Sequence, residues 1–542
     1  MSSCRLSILL PALLLTGAGC GSDPAARPST EARSAAPDHI PPAARIKRLT
    51  EPQFRNIIRD VFSADIRLPG SLEPDERIEG LYAVGAATSA ISSYGVEKYE
   101  GAAYDIAEQV IATPHLRDEW VPCDGADIAD DVCAAEAIDT LGLHLWRRPL
   151  NGAELSALTE VTLLAADTLG DFDAGLEYGI AALLMSPNFL YRVDLGDRES
   201  APANGYDDWE VASRLSFFLW NTTPDIDLLE AARAGELTDP EALADVVDRM
   251  LDDPRAREGV AALFTEMLQL DELDSLTKDP NVFLYMSDAL GPSARTETLT
   301  VIDAHIFEAD DPYPALYTTR RTWVDRTLAA LYDVPAPSPD GFGEVELPAD
   351  GGRRGLLGQA SFLALHAHAS TTSVTRRGIF IREVLLCTVI PEPPANANTA
   401  IPEVDEDART MRERIAVHLE DPTCAGCHQI TDPVGLAFEN FDGLGMWRTT
   451  ENDALIDASG ELDGEGFIDA WEAGAVIARH RNLGPCLTET FLQYATGNRS
   501  EDLDGALVDW HAEGFAHANH RVLWLLRDVA LSPTFRGLTE AE

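Results

Sequence analysis

The residues with the clearest chemical meaning are Cys424, Cys427 and His428, which stand in the motif C-A-G-C-H. Two thiols three residues apart lie on one helical turn, where they can reach the two vinyl groups along one porphyrin edge. The adjoining imidazole then points at the iron. The spacing predicts one covalent haem c, with His428 as an axial ligand. A zinc site and a redox-active C-x-x-C are the alternatives, and zinc is disfavoured because no second Cys or His pair follows at finger spacing.

Several residues could fill the other axial position of such an iron. Met446 is the methionine that follows the motif, and a thioether ligand would raise the reduction potential. An open or water-bound iron is a further possibility, and four histidines are also candidates: His366, His368, His418 and His480. Asp432-Pro433 offers a carbonyl that would orient the His428 imidazole; a plain turn is the alternative there.

The first twenty residues have the pattern of an export signal. Arg5 provides the positive start, residues 6–15 form a short apolar run, and small residues precede Cys20. The run is too short to span a bilayer. The small residues beside a cysteine resemble a bacterial lipoprotein processing site, although Gly17 stands where a larger aliphatic residue is usual. We expect a lipidated Cys20 that anchors the chain to a membrane, in the periplasm or at the cell surface; ordinary secretory cleavage is the alternative.

Four cysteines belong to neither the signal nor the motif. An oxidising compartment favours disulfides, and Cys123 and Cys133 face each other across a short loop. Cys387 and Cys486 would then join the two sides of the motif region. Four free, buried thiols are the alternative.

Charge limits the classes of partner. The 542 residues carry a formal charge of −50, from 91 acidic and 41 basic side chains. Such a chain lacks the basic surface that nucleic acids require, and it has no polybasic patch for anionic lipid. The charge fits a heavily solvated surface or a cationic partner. No Walker A, G-x-S-x-G or H-E-x-x-H signature is present, so catalysis stays undecided.

Helical signals dominate the elements that must position the motif. Residues 50–53 form a capping box, and apolar residues follow at helical spacing. Few stretches alternate with period two, so we predict a mostly α fold. Further helices are predicted over these ranges: 99–111, 134–146, 174–185, 405–419 and 485–495. Prolines within 391–402 predict an extended linker before the motif.

Taken in order, several segments resemble multi-module, cytochrome-c-like lipoproteins of planctomycete and myxobacterial type, whose modules are mostly labelled as domains of unknown function. The matching segments are 48–62, 145–150, 184–192, 213–220, 354–362, 424–442 and 494–497. The resemblance implies several helical modules, an export signal and a C-terminal cytochrome-c-like haem module. It implies no known reaction, and the family shares no methionine at the position of Met446, which counts against that ligand.

These observations divide the chain into seven parts. They are a signal peptide (1–20), a flexible linker (21–44), an N-terminal helical module (45–118), a helical module with the Arg-Arg-Pro-Leu motif (119–195), a central helical module (196–345), a haem-binding module (346–455) and a C-terminal helical module that packs on it (456–542). We expect an electron-transfer or oxidoreductase component with a helical binding body. The alternative is a membrane-anchored binding or scaffold protein with a structural or sensory haem. The redox partner or small-molecule substrate is not indicated.

Overall fold

The first helix begins where its capping sequence predicts. In this computed structural model, α1 spans Glu51–Val61 and Thr50 caps it. The Thr50 hydroxyl accepts a hydrogen bond from the backbone N–H of Gln53, and the Gln53 side chain accepts one from the Thr50 N–H. The apolar face at Phe54 and Ile57 is buried, as the i, i+3 spacing requires.

The structure describes residues 36–38, 45–123, 127–196, 205–391, 401, 403–420 and 422–537. The predicted signal peptide with Cys20, almost all of the predicted linker, and most of the proline-rich segment 391–402 lie outside these residues. Among the described residues, no helix combines the length and apolar character needed to cross a membrane.

Helices make up most of the described chain, which confirms the predicted fold class. After α1 they are α2 Tyr82–Gly85, α3 Ser93–Ala112, α4 Pro114–Trp120, α5 Asp131–Trp146, α6 Gly152–Leu169, α7 Phe172–Met185, α8 Pro187–Leu190, α9 Asp208–Leu219, α10 Ile226–Ala234, α11 Pro240–Asp252, α12 Arg255–Met267, α13 Leu290–Asp303, α14 Arg326–Tyr332, α15 Ala360–Leu365, α16 Val374–Phe380, α17 Met411–Glu420, α18 Pro422–Gly435, α19 Ala470–Ala478, α20 Leu483–Thr496, α21 Gly505–His517, α22 Val522–Ala530 and α23 Pro533–Arg536. Short π-helical turns extend α13 (Ala304–Glu308) and α16 (Ile381–Leu385), and 3-10 turns occur at Leu270–Ser275, Tyr313–Tyr317, Leu356–Gly358, Leu436–Phe438 and Ser500–Asp502.

The strands are short and pair two by two. They are β1 Arg45–Arg48, β2 Tyr191–Asp194, β3 Arg321–Val324, β4 Gly343–Glu346, β5 Thr450–Glu451, β6 Ala454–Leu455, β7 Gly460–Leu462 and β8 Glu465–Phe467. Each pair is antiparallel: β1 with β2, β3 with β4, β5 with β6, and β7 with β8. Because β1 and β2 are far apart in sequence, their pairing ties the start of the body to the end of α8.

One predicted helix starts later than its apolar pattern suggests. We predicted a helix from residue 405, but α17 begins at Met411. The carboxylate of Glu413 accepts the backbone N–H groups of Arg409 and Thr410, which caps the helix there. Asp405 instead accepts backbone N–H groups two and three residues ahead and closes a turn.

The core forms two large apolar clusters that meet at α9. Phe217 belongs to the cluster built mainly from α1 and α3–α7, and Phe218 belongs to the cluster built from the later helices. A third, small cluster holds Val374, Met411 and Ile415 with Leu436, and so joins α16, α17 and the 3-10 turn that follows α18. Residues 36–542 cluster as one compact unit.

Both predicted disulfides are confirmed. Cys123 bonds to Cys133, and Cys387 bonds to Cys486. The second bridge joins the π-helical extension of α16 to α20, on either side of the motif in sequence.

Candidate functional site

Helix α18 carries the whole C-x-x-C-H motif. Cys424 and Cys427 are free cysteines of intermediate exposure, although other cysteines of the chain are paired. The His428 side chain is 17% exposed. The three residues therefore lie within two turns of one helix, with neither sulfur engaged in a disulfide.

Helix α16 holds α18 at very close range through two glycines. A Cβ atom on Gly378 would lie 2.0 Å from the carbonyl oxygen of Thr431, and one on Gly435 would lie 2.0 Å from that of Val374. Only residues without a side chain allow this backbone approach. The crossing brings the side chain of Thr375 beside the third turn of α18.

A buried carboxylate orients the His428 imidazole. Nδ1 of His428 lies 2.7 Å from Oδ2 of Asp432, whose side chain is 3% exposed. The hydroxyl of Thr375 donates to the other oxygen of Asp432 at 2.9 Å, and the hydroxyl of Thr431 donates to that oxygen at 3.2 Å. The expectation of a backbone carbonyl from Asp432 or Pro433 is therefore wrong: the partner is the Asp432 side chain, which lies one helical turn after His428.

This arrangement selects one nitrogen of His428 for binding. With the proton of Nδ1 donated to the Asp432 carboxylate, Nε2 is the ring atom with a lone pair for a metal. A carboxylate partner also makes the imidazole a stronger electron donor.

The Cys427 thiol is kept in its protonated form. Burial raises the pKa of Cys427 above its ordinary value; the Thr431 hydroxyl opposes this rise, and the carboxylates of Asp432 and Glu383 add smaller increases. Activated cysteines of redox C-x-x-C sites have lowered pKa values. The activated thiol of such a site is the first cysteine, here Cys424, so the pKa of Cys427 does not decide between the haem and the redox-cysteine alternatives.

Arg382 ties the back of α18 to the β7–β8 hairpin. Its Nε donates to the carbonyl of Ile430 at 3.0 Å, and its Nη1 donates to Asp463 at 2.6 Å. Asp463 also lies 2.9 Å from Nε2 of His480. His480, one of the predicted second ligands, is thus engaged by the hairpin.

Of the other predicted second ligands, His418 is the one brought beside the motif. Its ring centroid lies 4.6 Å from that of His428, at an interplanar angle of 47°. His366 instead stacks on Phe380 with centroids 4.3 Å apart, and burial lowers its pKa to about 3. The backbone N–H of His368 donates to a neighbouring loop carbonyl.

Met446 lies in a turn at the surface. Its side chain is 36% exposed, and its backbone N–H donates to the carboxylate of Asp442 at 2.8 Å. These contacts describe a turn residue, and ligation by Met446 stays a prediction. Elsewhere in the described parts of the chain, one group of three potential metal-ligating atoms occurs, at Cys123, Asp130 and Cys133, where the two sulfurs are bonded to each other.

The sequence analysis did not identify two residues that position His428. The contact between the Asp432 carboxylate and His428 could have been predicted, because a residue four positions after His428 on a helix faces the same side. Thr375 lies 53 residues before His428, and no local pattern marks it.

Four stretches of the chain match known family models, each described as a protein of unknown function. They are PSD3 (DUF1587) at residues 47–112, PSD5 (DUF1595) at 133–194, PSD4 (DUF1592) at 206–334 and PSCyt3 (DUF1588) at 353–451. The chain therefore has a multi-module architecture of these domain types, and the PSCyt3 match includes α16–α18. No curated protein and no solved structure gives a match.

Proposed function

We propose that the chain is an exported haem c protein that transfers electrons, as an electron carrier or an oxidoreductase component, and that its upstream helices form a binding body. The observation that carries the proposal is that one helix, α18, holds two free cysteines, Cys424 and Cys427, together with the oriented imidazole of His428. The PSCyt3 label of the matching model is in line with a cytochrome-like module.

The donor set fits a covalent haem. Two unpaired thiols are what thioether formation at the vinyl groups needs, and the Nε2 atom of His428 is the ligand atom left by its contact with Asp432. The group, when bound, would supply a one-electron iron couple. Export with lipid on Cys20, expected from the sequence, belongs to the same proposal, because this attachment takes place outside the cytosol.

Residues beside His428 would determine how strongly its imidazole donates electrons to that iron. Asp432 holds the imidazole in one orientation, and its negative charge strengthens electron donation from His428. Thr375 and Thr431 donate to the second carboxylate oxygen, so both oxygens of the buried Asp432 side chain have hydrogen-bond partners. The redox partner is a protein or small molecule outside this chain.

Covalent attachment is tested by expression of the full chain with a haem-maturation system. Denatured, purified protein should keep one haem by absorbance and intact mass. The double variant Cys424→Ser/Cys427→Ser should lose it, whereas Cys123→Ser/Cys133→Ser, which also removes two cysteines, should retain it. His428→Ala should keep the thioethers but change the visible spectrum. Unmodified Cys424 and Cys427 in protein from maturation-competent cells would contradict the proposal.

The redox role and the anchor need separate measurements. Protein-film voltammetry should give a reversible one-electron wave; an iron that cannot be cycled would leave the binding or scaffold alternative, with a structural or sensory haem. Cys20→Ser should release the protein from the membrane fraction. An unchanged membrane fraction would argue against lipidation at Cys20.

A further inference from the structure

A cavity lies where β1 and β2 meet α9 and α20, away from the cysteine motif in sequence. It has an empty volume of about 350 Å³, part of it open to solvent, and its enclosed part has room for little more than a water molecule. Its polar lining residues are Lys47, Arg48, Thr50, Gln53, Arg192 and Tyr494.

Two cations stand directly opposite each other in this cavity. Lys47 of β1 and Arg192 of β2 are partners in the antiparallel register, so their side chains leave the ribbon on the same face. The two side chains are 3% and 7% exposed. Like charges directly opposite on a ribbon are destabilising, and burial increases the cost.

The neighbouring charges leave this pair uncompensated. Arg214 is also buried, and the carboxylate of Asp194 lies 3.6 Å from Arg192 and 3.9 Å from Arg214. One carboxylate thus faces two buried arginines. Burial, with the charges of Arg192 and Arg214, lowers the pKa of Lys47 well below its usual range.

Other ionisable groups around the cavity do not supply the missing negative charge. Arg48 is paired with its own carboxylate, Asp75, at 3.0 Å. Burial raises the pKa of Glu266, behind the wall at Ala83, to about 8, so this carboxyl is mostly protonated at neutral pH. Burial also raises the pKa of Tyr494, which leaves its phenol a neutral donor.

Hydrogen-bond donors in the cavity are unused. Among the described residues, Nζ of Lys47, Nε and Nη2 of Arg192 and the hydroxyl of Tyr494 are buried without a hydrogen-bond partner. A buried donor without a partner is destabilising, and a buried charge more so. Oδ2 of Asp194, 3.6 Å from Nη2 of Arg192, is a buried acceptor that also lacks a hydrogen-bond partner. The four unused donors outnumber it and indicate a ligand that accepts hydrogen bonds and carries negative charge.

We propose that this cavity binds the carboxylate group of a small molecule. Nε and Nη2 form one edge of the Arg192 guanidinium, and that edge matches the two oxygens of a carboxylate. The ring of Phe217 lies 4.7 Å from the guanidinium carbon and supports its face, so the edge is the part left for a ligand. Lys47 supplies an amine donor and Tyr494 a hydroxyl donor.

Calorimetric titration of the full-length protein with sodium formate and sodium acetate tests the site, at constant ionic strength. Saturable binding of one anion per chain is expected. Lys47→Gln and Arg192→Gln should each weaken it at least tenfold, whereas Arg233→Gln, which removes an exposed arginine charge from α10, should leave it unchanged. The titration does not involve the haem.

The remaining outcomes also decide the proposal. If Arg192→Gln fails to fold, Lys47→Gln alone decides, and in anion-free buffer it should melt at or above the wild-type temperature because it removes a buried amine that has no hydrogen-bond partner. Equal binding to Lys47→Gln and wild type would overturn the proposal. So would the absence of saturable heat. Chloride or inorganic phosphate that binds as tightly as formate and acetate would overturn the assignment to carboxylates.

Discussion

Replacement of Asp432 by asparagine probes the orientation and the electronics of His428 together. The Asp432 side chain is 3% exposed and lies 2.7 Å from Nδ1 of His428. Asparagine keeps the size, and its side-chain oxygen can accept from Nδ1 of His428 while its NH2 group donates to the hydroxyl of Thr375, so the helix crossing should survive. What is removed is the negative charge that makes the imidazole a stronger donor to ferric iron.

The magnitude follows from the loss of one charged hydrogen bond. Partners of metal-bound histidines typically contribute about 10- to 100-fold to metal binding. If that factor favours the ferric over the ferrous form, each tenfold change shifts a one-electron potential by about 59 mV. Asp432→Asn is therefore expected to raise the midpoint potential by about 60–120 mV.

Spectroelectrochemical titration of the haem-loaded protein measures the shift. Glu461→Gln is the matched control, because it also removes one negative charge but lies exposed on β7, the strand that approaches α18 at Gly460. We expect little change in this control. A downward shift in Asp432→Asn, or a shift no larger than that of Glu461→Gln, would refute the role assigned to the carboxylate.

Three further predictions concern stability. Burial raises the pKa of Glu297 from 4.5 to about 7, so the folded state holds the carboxyl proton of Glu297 more tightly than the unfolded chain does. The stability that this protonated carboxyl contributes should therefore fall by on the order of 3 kcal/mol as the pH rises from 4.5 to 7. Urea unfolding of Glu297→Gln should show a flatter pH dependence, and an unaltered slope would contradict the assignment. Gly378→Ala should destabilise the fold by about 1–3 kcal/mol through overpacking. The control Gly426→Ala should be neutral or stabilising, because the space around its Cβ position is open. Equal melting temperatures of the two variants would count against the close helix crossing. Cys387→Ser/Cys486→Ser should lower the free energy of unfolding by about 4–5 kcal/mol, because the bridge closes a loop of about 100 residues; denaturant midpoints equal to wild type would reject this.

Local signals explain why much of the fold could be predicted. Helix α7, predicted over 174–185, spans Phe172–Met185, because an N-terminal cap and a proline just after the helix both act within a few residues. The capping box predicted at residues 50–53 forms at the start of α1, and a second one, at Asn151 and Glu154, starts α6 with the same three-residue spacing. The start of α17 was misplaced because two acidic capping groups, Asp405 and Glu413, competed for it.

By itself, the sequence determined the mostly α fold and the spacing of Cys424, Cys427 and His428 on one helix. These features depend on residues within one or two helical turns, where spacing alone sets geometry. It also determined the composition that argues against nucleic acid.

Only the tertiary structure decided which groups surround those residues. Thr375 meets Asp432 because α16 crosses α18 at two glycines. Lys47 and Arg192 are 145 positions apart, and each alone has the appearance of an ordinary surface cation. The β1–β2 register places them opposite each other and the core clusters bury them. Their uncompensated charge is a property of the pair, which no local pattern can reveal because it arises from chain segments that meet only on folding.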